Sequence, residues 1–365
     1  MPANKNSTPR ISRRNYFNII RTLFGVLVAA YVVWRLYTVL FIQQQYTPDI
    51  WIRLLIAGLI IGGVYSLVAI GYTLVYGILF MINFAHGEVM MIGVFSGYFV
   101  LEITKAIQVA PGLSFSNAHP AITVVLAFLV GMSISSASGF FLEKIAYRPL
   151  RKAPRLIPLI SAIGASIFLQ NAAQLMFSPQ VRDYANPSVI NRGTGWPVNL
   201  AGANITISYT GVLTFSMSIL LMIGLYWLVR KTKLGKAMRA VALDKQTAAL
   251  MGIDVDAIIS RTFIISGALA GAAGVMWGFH NGITYFYVGF LPGIKAFTAA
   301  VLGGIGNIPG AMLGGMFLGL MESIAPTALG ISYQLKDVIA FMILIVILVF
   351  RPSGILGEVL SEEKV

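Results

Sequence analysis

The sequence contains no cysteine, which excludes disulfides and thiolate metal sites. Its three histidines, His86, His119 and His280, lack the i,i+4 spacing and acidic neighbours of a metal site. Charge is scarce as well: 11% of 365 residues are Asp, Glu, Lys or Arg, against roughly 25% in soluble domains. A chain so poor in charge cannot cover a water-facing surface. No polar block is long enough to make a soluble domain, and the longest polar stretch, Ser178 to Ser208, reads as a loop. A phosphate-binding G-x-x-x-x-G-K-S/T loop is also missing, since Gly235-Lys236 is followed by alanine and lacks upstream glycines. If ATP drives this protein, another chain binds it, and no cofactor is expected on this one.

What is present is apolar. Hydrophobic residues make up 57% of the chain, in repeated runs near the ~20 residues that cross a bilayer. Candidate spans are 54–80, 88–107, 121–142, 156–177, 209–229, 259–279, 295–325 and 336–350. An earlier apolar segment, 19–42, follows a polar start with Lys5, Arg10, Arg13 and Arg14. No small-x-small cleavage site follows it, so a retained helix is expected rather than a signal peptide. The fold class is therefore an all-α polytopic membrane protein of eight to ten transmembrane helices. Its organisation is a 1–50 extension with one extra span, a 51–357 transmembrane domain and a 358–365 tail.

The net charge of +13 follows the positive-inside bias rather than marking a nucleic-acid partner. Loops 143–155 and 230–245 are rich in Lys and Arg and are expected in the cytoplasm, while 178–208 and 280–294 are not basic. With the N-terminus inside, the C-terminus is also cytoplasmic only if 295–325 enters and leaves.

Small residues at helical spacing, Gly58, Gly62 and Gly63, then Gly267, Gly271 and Gly274, predict closely packed helices. Two breaks follow, at Ile82-Asn83-Phe84-Ala85-His86-Gly87-Glu88 and at Gly303 to Gly310. Broken backbone survives at membrane depth only where protein or a water-filled cavity satisfies it. Paired breaks point to re-entrant segments and an inverted repeat with a pathway between its halves.

Few ionisable residues lie near membrane depth, and each costs about 2.5–3.5 kcal/mol at the centre. Glu102, Glu143, Lys295 and Asp337 fall near predicted ends, where headgroups or water are expected to meet them. His86 and Glu88 either line or gate the pathway, or belong to a tight turn bent at Gly87 and capped by Asn83. Gly303, Gly304, Gly306 and Asn307 are candidate pathway residues of the second break. Glu322 is either a tether between helices or a pathway residue. Neither Glu88 nor Glu322 has a basic partner evident in the sequence, which weighs against an ion-coupled carrier.

Residues 233–253 form an amphipathic stretch, with Met238, Val241, Ala242, Ala248 and Ala249 approximating one helical face and Gly252 placed to stop it. That face could rest on membrane lipid or dock on a soluble partner.

Several blocks resemble one family: M-I-N-F-A-H-G-E-V-M-M-I-G (81–93), A-Y-R-P-L (146–150), L-I-S-A-I-G-A-S-I-F-L-Q-N (159–171), the Lys295-to-Gly315 block and P-S-G-I-L-G (352–357). They resemble the permease subunits of branched-chain amino acid ABC importers, the LivH type, from about 54 to 357. The resemblance implies a second permease subunit, two cytoplasmic ATP-binding subunits and a periplasmic solute-binding protein as partners. It also implies that Gly235, Arg239, Asp244, Ala248, Ala249 and Gly252 belong to a loop that docks on the ATPase. Urea or short amides remain an alternative cargo, because related importers share the same blocks. Residues 1–50 have no counterpart in the resemblance.

Overall fold

The computed structural model describes residues 13–43, 46–151, 153–154, 156–200, 203–351 and 353–357. The polar start with Lys5 and Arg10, the loop residues Lys152 and Arg155, Pro352 and the 358–365 tail lie outside the described residues.

The helices are α1 (Arg13–Tyr37), α2 (Pro48–Leu79), α3 (His86–Ala106), the single turn α4 (Phe115–Ala118), α5 (Pro120–Leu142), α6 (Leu156–Phe177), α7 (Tyr209–Lys231), α8 (Lys233–Leu243), α9 (Lys245–Leu250), α10 (Val255–Asn281), α11 (Phe290–Gly303), α12 (Ile308–Ala328) and α13 (Lys336–Phe350). Eight described helical segments are long and apolar enough to cross a membrane. Short antiparallel strand pairs, Gln108–Ala110 with Leu113–Ser114, Arg182–Asp183 with Ile283–Thr284, and Gly195–Leu200 with Ala203–Ser208, close one end of the bundle. The other end carries the basic loops, tied together by Arg148 and Arg151 on Asp256.

Glycine sets the core. In lipid, helices associate by close contact rather than by expulsion of water. A methyl group on Gly62 of α2 would lie 2.9 Å from the Met316 Cα of α12, and one on Gly93 of α3 would lie 2.6 Å from the Gly271 Cα of α10. Hydroxyls add bonds between neighbouring helices: Ser66 of α2 donates to the Met312 carbonyl of α12 at 2.8 Å, and Ser135 of α5 donates to the Val89 carbonyl of α3 at 3.0 Å. The expected small-residue packing is present.

The breaks fall differently from expectation. His86 packs against Gly71, eight residues and therefore about 12 Å back up α2 from its end, so α3 begins inside the bundle. Its counterpart is not 303–310 but 282–289, the connection between α10 and α11. Gly87 at the start of α3 abuts Gly289 and Gly293 at the start of α11. α2–α3 and α10–α11 therefore run in opposite senses, and their second helices begin against each other. α11 has 14 residues, about 21 Å, which is too short to span a ~30 Å hydrocarbon core. The expected entry and exit through 295–325 is this half-length helix followed by α12.

α1 meets the rest at Gly25, beside Phe350 of α13, and at its C-terminal end. The Arg35 guanidinium donates to the carbonyls of Leu329 at 2.8 Å and Gly330 at 3.1 Å, placing a cation where the carbonyl end of α12 is negative.

Candidate functional site

Three polar regions of the bundle are candidate sites: a cavity at the start of α3, a buried charge cluster, and the basic end.

The cavity holds about 400 Å³ and is bordered by Tyr72, Phe84, Gly87, Glu88, Ile163, Ser166, Ile167, Gln170, Phe290 and Ile294. Glu88 sits in the first turn of α3 and is 1% exposed. One of its oxygens, Oε1, accepts from Gln170 Nε2 at 2.6 Å and from Ser166 Oγ at 3.3 Å. Its other oxygen, Oε2, has no partner among the described residues. Ser166 and Gln170 are four apart on an otherwise apolar α6, so both reach the same carboxylate. That spacing was the available signal, and it is weak without knowledge of what α6 faces.

The expected turn closes just before the predicted place: the His86 N–H reaches the Asn83 carbonyl at 3.0 Å across Phe84 and Ala85. His86, Gly87 and Glu88 already belong to α3, and the Asn83 side chain caps no helix. Instead the Asn83 side chain accepts from the buried Tyr147 hydroxyl at 2.6 Å. Gly87 does not bend the chain; it permits the backbone contact with α11. His86 is buried edge-on to Tyr72, with ring centroids 4.9 Å apart, and is not among the residues that border the cavity.

The second region overturns the expectation that Lys295 meets headgroups or water, whereas Asp337, in the first turn of α13, keeps about 33% of its side chain exposed as a helix end should. Lys295 of α11 is 3% exposed and its ammonium lies 2.8 Å from Glu322 Oε1 of α12 and 2.5 Å from Asp337 of α13. Tyr65 of α2 donates its hydroxyl to Glu322 Oε2 at 2.8 Å, and Lys336 stands 3.7 Å from Oε1. Glu322 therefore has a basic partner on a neighbouring helix, contrary to the sequence reading. Two cations and two carboxylates balance, and the geometry is that of a tether joining four helices. Glu143 is likewise not at a wet helix end but fully buried, accepting from Arg151 and, at 2.7 Å, from Ser260. Glu102 is half-buried.

At the basic end, the amphipathic stretch is two helices rather than one. Thr232 caps α8 through the Gly235 N–H at 3.1 Å, and Gly235 itself is pressed against the Val229 carbonyl, to which Arg239 also donates. Asp244 caps α9, accepting from the Thr247 hydroxyl and from the N–H groups of Gln246 at 2.8 Å and Thr247 at 3.2 Å. Those donors, the hydroxyl foremost, hold its carboxyl below the usual range. Gly252 has φ +82°, and beyond it the Ile253 N–H reaches the Ala248 carbonyl at 3.1 Å, closing α9 with the left-handed residue that glycine adopts most cheaply.

The expected docking face is in the wrong place. Met238, Val241 and Ala248 are buried against the chain's own bundle, and Ala242 is half-buried. The apolar groups that project outward are Leu243, Leu250 and Met251, at 71%, 87% and 78% exposure, with Ala249 beside them. A recess of about 870 Å³ separates α8 from the end of α2 and from Ile305 to Pro309. Gly306 and Asn307 therefore face the basic end, not the mid-bundle cavity. Asn307 caps α12 through the Gly310 N–H at 3.1 Å and donates to the Leu356 carbonyl at 2.8 Å. Gly303 packs on Gly310, and Gly304, at φ +104°, packs on Gly357.

Comparison with known proteins identifies the scaffold. Residues 54–348 match the family described as the permease component of branched-chain amino acid transport systems. The chain is 45% identical over 313 residues to the high-affinity branched-chain amino acid transport system permease protein BraD of Pseudomonas aeruginosa, covering 85% of this chain and 98% of that one. It is 42% identical over 303 residues to the permease protein LivH of Escherichia coli, covering 82% and 94%. A probable permease of the same name from Methanocaldococcus jannaschii is 31% identical over 234 residues, covering 62% and 66%. No solved structure matches the chain.

Proposed function

The chain belongs to the permease family of branched-chain amino acid transport systems, a multi-pass membrane component that works with partner subunits; from that premise we propose that it imports leucine, isoleucine, valine or related amino acids. In this reading it forms half of the pathway with a second permease subunit. Two ATP-binding subunits engage the basic end, and a soluble binding protein delivers substrate to the end closed by the strand pairs. Both chain termini then lie in the cytoplasm with the basic loops.

The observation that carries the coupling role is the outward trio Leu243, Leu250 and Met251. Three large apolar side chains turned outward within nine residues at the basic end offer a partner subunit an apolar contact. They sit on two short helices whose inner faces are fixed to the bundle, so a push on the trio moves α8 against α7 and α2. Gly252 sets the exit of this element. Valine there would be forced into a left-handed conformation costing on the order of 1–3 kcal/mol, so α9 and its exposed side chains should shift. In proteoliposomes holding the assembled complex and its binding protein, G252V should lower leucine uptake severalfold while membrane insertion persists. Wild-type uptake by this variant would remove the loop from the mechanism.

A further inference from the structure

Buried carboxylates are normally paired, because a bare charge in a low-dielectric interior is costly. Glu88 departs from that rule in a specific way. Both neutral donors, Gln170 and Ser166, converge on Oε1, leaving Oε2 unpartnered. Among the described residues no Lys, Arg or His forms an ion pair with it. The carboxylate borders a cavity of about 400 Å³, within the roughly 300–1,000 Å³ range of small-molecule pockets. Across the cavity the wall is aliphatic and aromatic: Ile163 and Ile167 from α6, Phe84 from the break before α3, and Ile294 from α11.

We infer that this cavity is a way-station for a zwitterionic amino acid, with the Glu88 carboxylate turning its enclosed Oε2 to the α-ammonium group and Ile163, Ile167 and Phe84 receiving the branched side chain. The inference rests on the amino-acid import reading and names the residues that the transported molecule would touch. An ammonium group supplies what Glu88 lacks, a cation with three donors. The apolar wall gives a branched side chain about 0.8 kcal/mol per buried methylene. Gly87 and Phe290 bring the starts of α3 and α11 to the same cavity, so positive helix ends border the place where the amino acid's carboxylate would lie. The site stands where the two opposed half-helices meet, so a shift of one half against the other would change its shape.

Two variants test this in the complete complex, reconstituted in proteoliposomes with leucine-loaded binding protein. E88Q keeps the shape and removes the charge. Q170K places a permanent ammonium beside the same carboxylate from within the fold, satisfying Glu88 while occupying the position assigned to substrate. Both should lower leucine uptake at least tenfold, with assembly retained by co-purification, and Q170K should melt no lower than wild type. A purely structural Glu88 would instead accept the ammonium introduced by Q170K as an ordinary partner, and that variant would transport normally. Wild-type uptake by either variant overturns the inference, as does failure of Q170K to assemble. If E88Q alone fails to assemble, Q170K decides. Failure of the unmodified complex to import leucine would sink the amino-acid reading itself, a result distinct from normal uptake by Q170K.

Discussion

Glu322 and Glu88 are both carboxylates buried among apolar helices, at 4% and 1% exposure, yet their surroundings are opposite. Glu322 is saturated: an ammonium at 2.8 Å on one oxygen, a tyrosine hydroxyl at 2.8 Å on the other, and a second lysine nearby. Glu88 has two neutral donors on one oxygen and none on the other. A charge that the fold neutralises completely holds helices together, whereas one left half-satisfied at a cavity wall is available to something that comes and goes. The residue type and the burial are the same, and only the company differs.

The contrast can be broken most sharply at Lys295. K295M removes the cation that both carboxylates share and should destabilise the permease by about 3 kcal/mol, at the low end of the roughly 3–5 kcal/mol for breaking a buried pair. Lys336, 3.7 Å from Glu322, keeps the loss from being larger. Thermal melting of the purified complex measures it, and an unchanged midpoint would mean the cluster is not a tether. Y65F is smaller: it strips the bond to Glu322, worth about 1.5–3 kcal/mol to a charged oxygen, and the longer one accepted from Lys295 at 3.4 Å, and should lower the midpoint without abolishing uptake. Smaller still is the pair K295M with E322Q. Removing both charges together should recover much of the single loss, leaving under about 1.5 kcal/mol, since replacing a whole buried ion pair is often near neutral. E88Q should have the smallest effect on stability, within about 1 kcal/mol of wild type, because the charge it removes has no cation to lose. A fall as large as that of K295M would erase the distinction drawn between the two carboxylates.

The charge cluster also removes one argument against an ion-coupled carrier, the missing basic partner for Glu322. The distinction between carrier and ABC permease now rests on family membership over residues 54–348.

The errors made from sequence share one cause. Lys295 lies near a predicted span end, and there an unpaired charge ordinarily meets water. Its burial follows because α11 starts mid-bundle, which hydropathy cannot reveal: a half-length helix continued by α12 reads as one long apolar run. The coupling stretch failed similarly. A single helical wheel over 233–253 puts Ala248 and Ala249 with Met238, but Asp244 caps a new helix and resets the phase, so Ala249 turns outward.

Composition and periodicity were enough to determine a cysteine-free helical membrane bundle, the basic loops at one end and the glycine rows that let its helices touch, because these depend on local chemistry repeated along the chain. The family blocks identified the transporter class in the same way. Which carboxylate would find a cation was decided only when helices remote in sequence came together, since Lys295 and Tyr65 are 27 and 257 residues from Glu322 and Gln170 is 82 from Glu88. Pairing energy acts across space, and spacing along the chain carries almost none of that information.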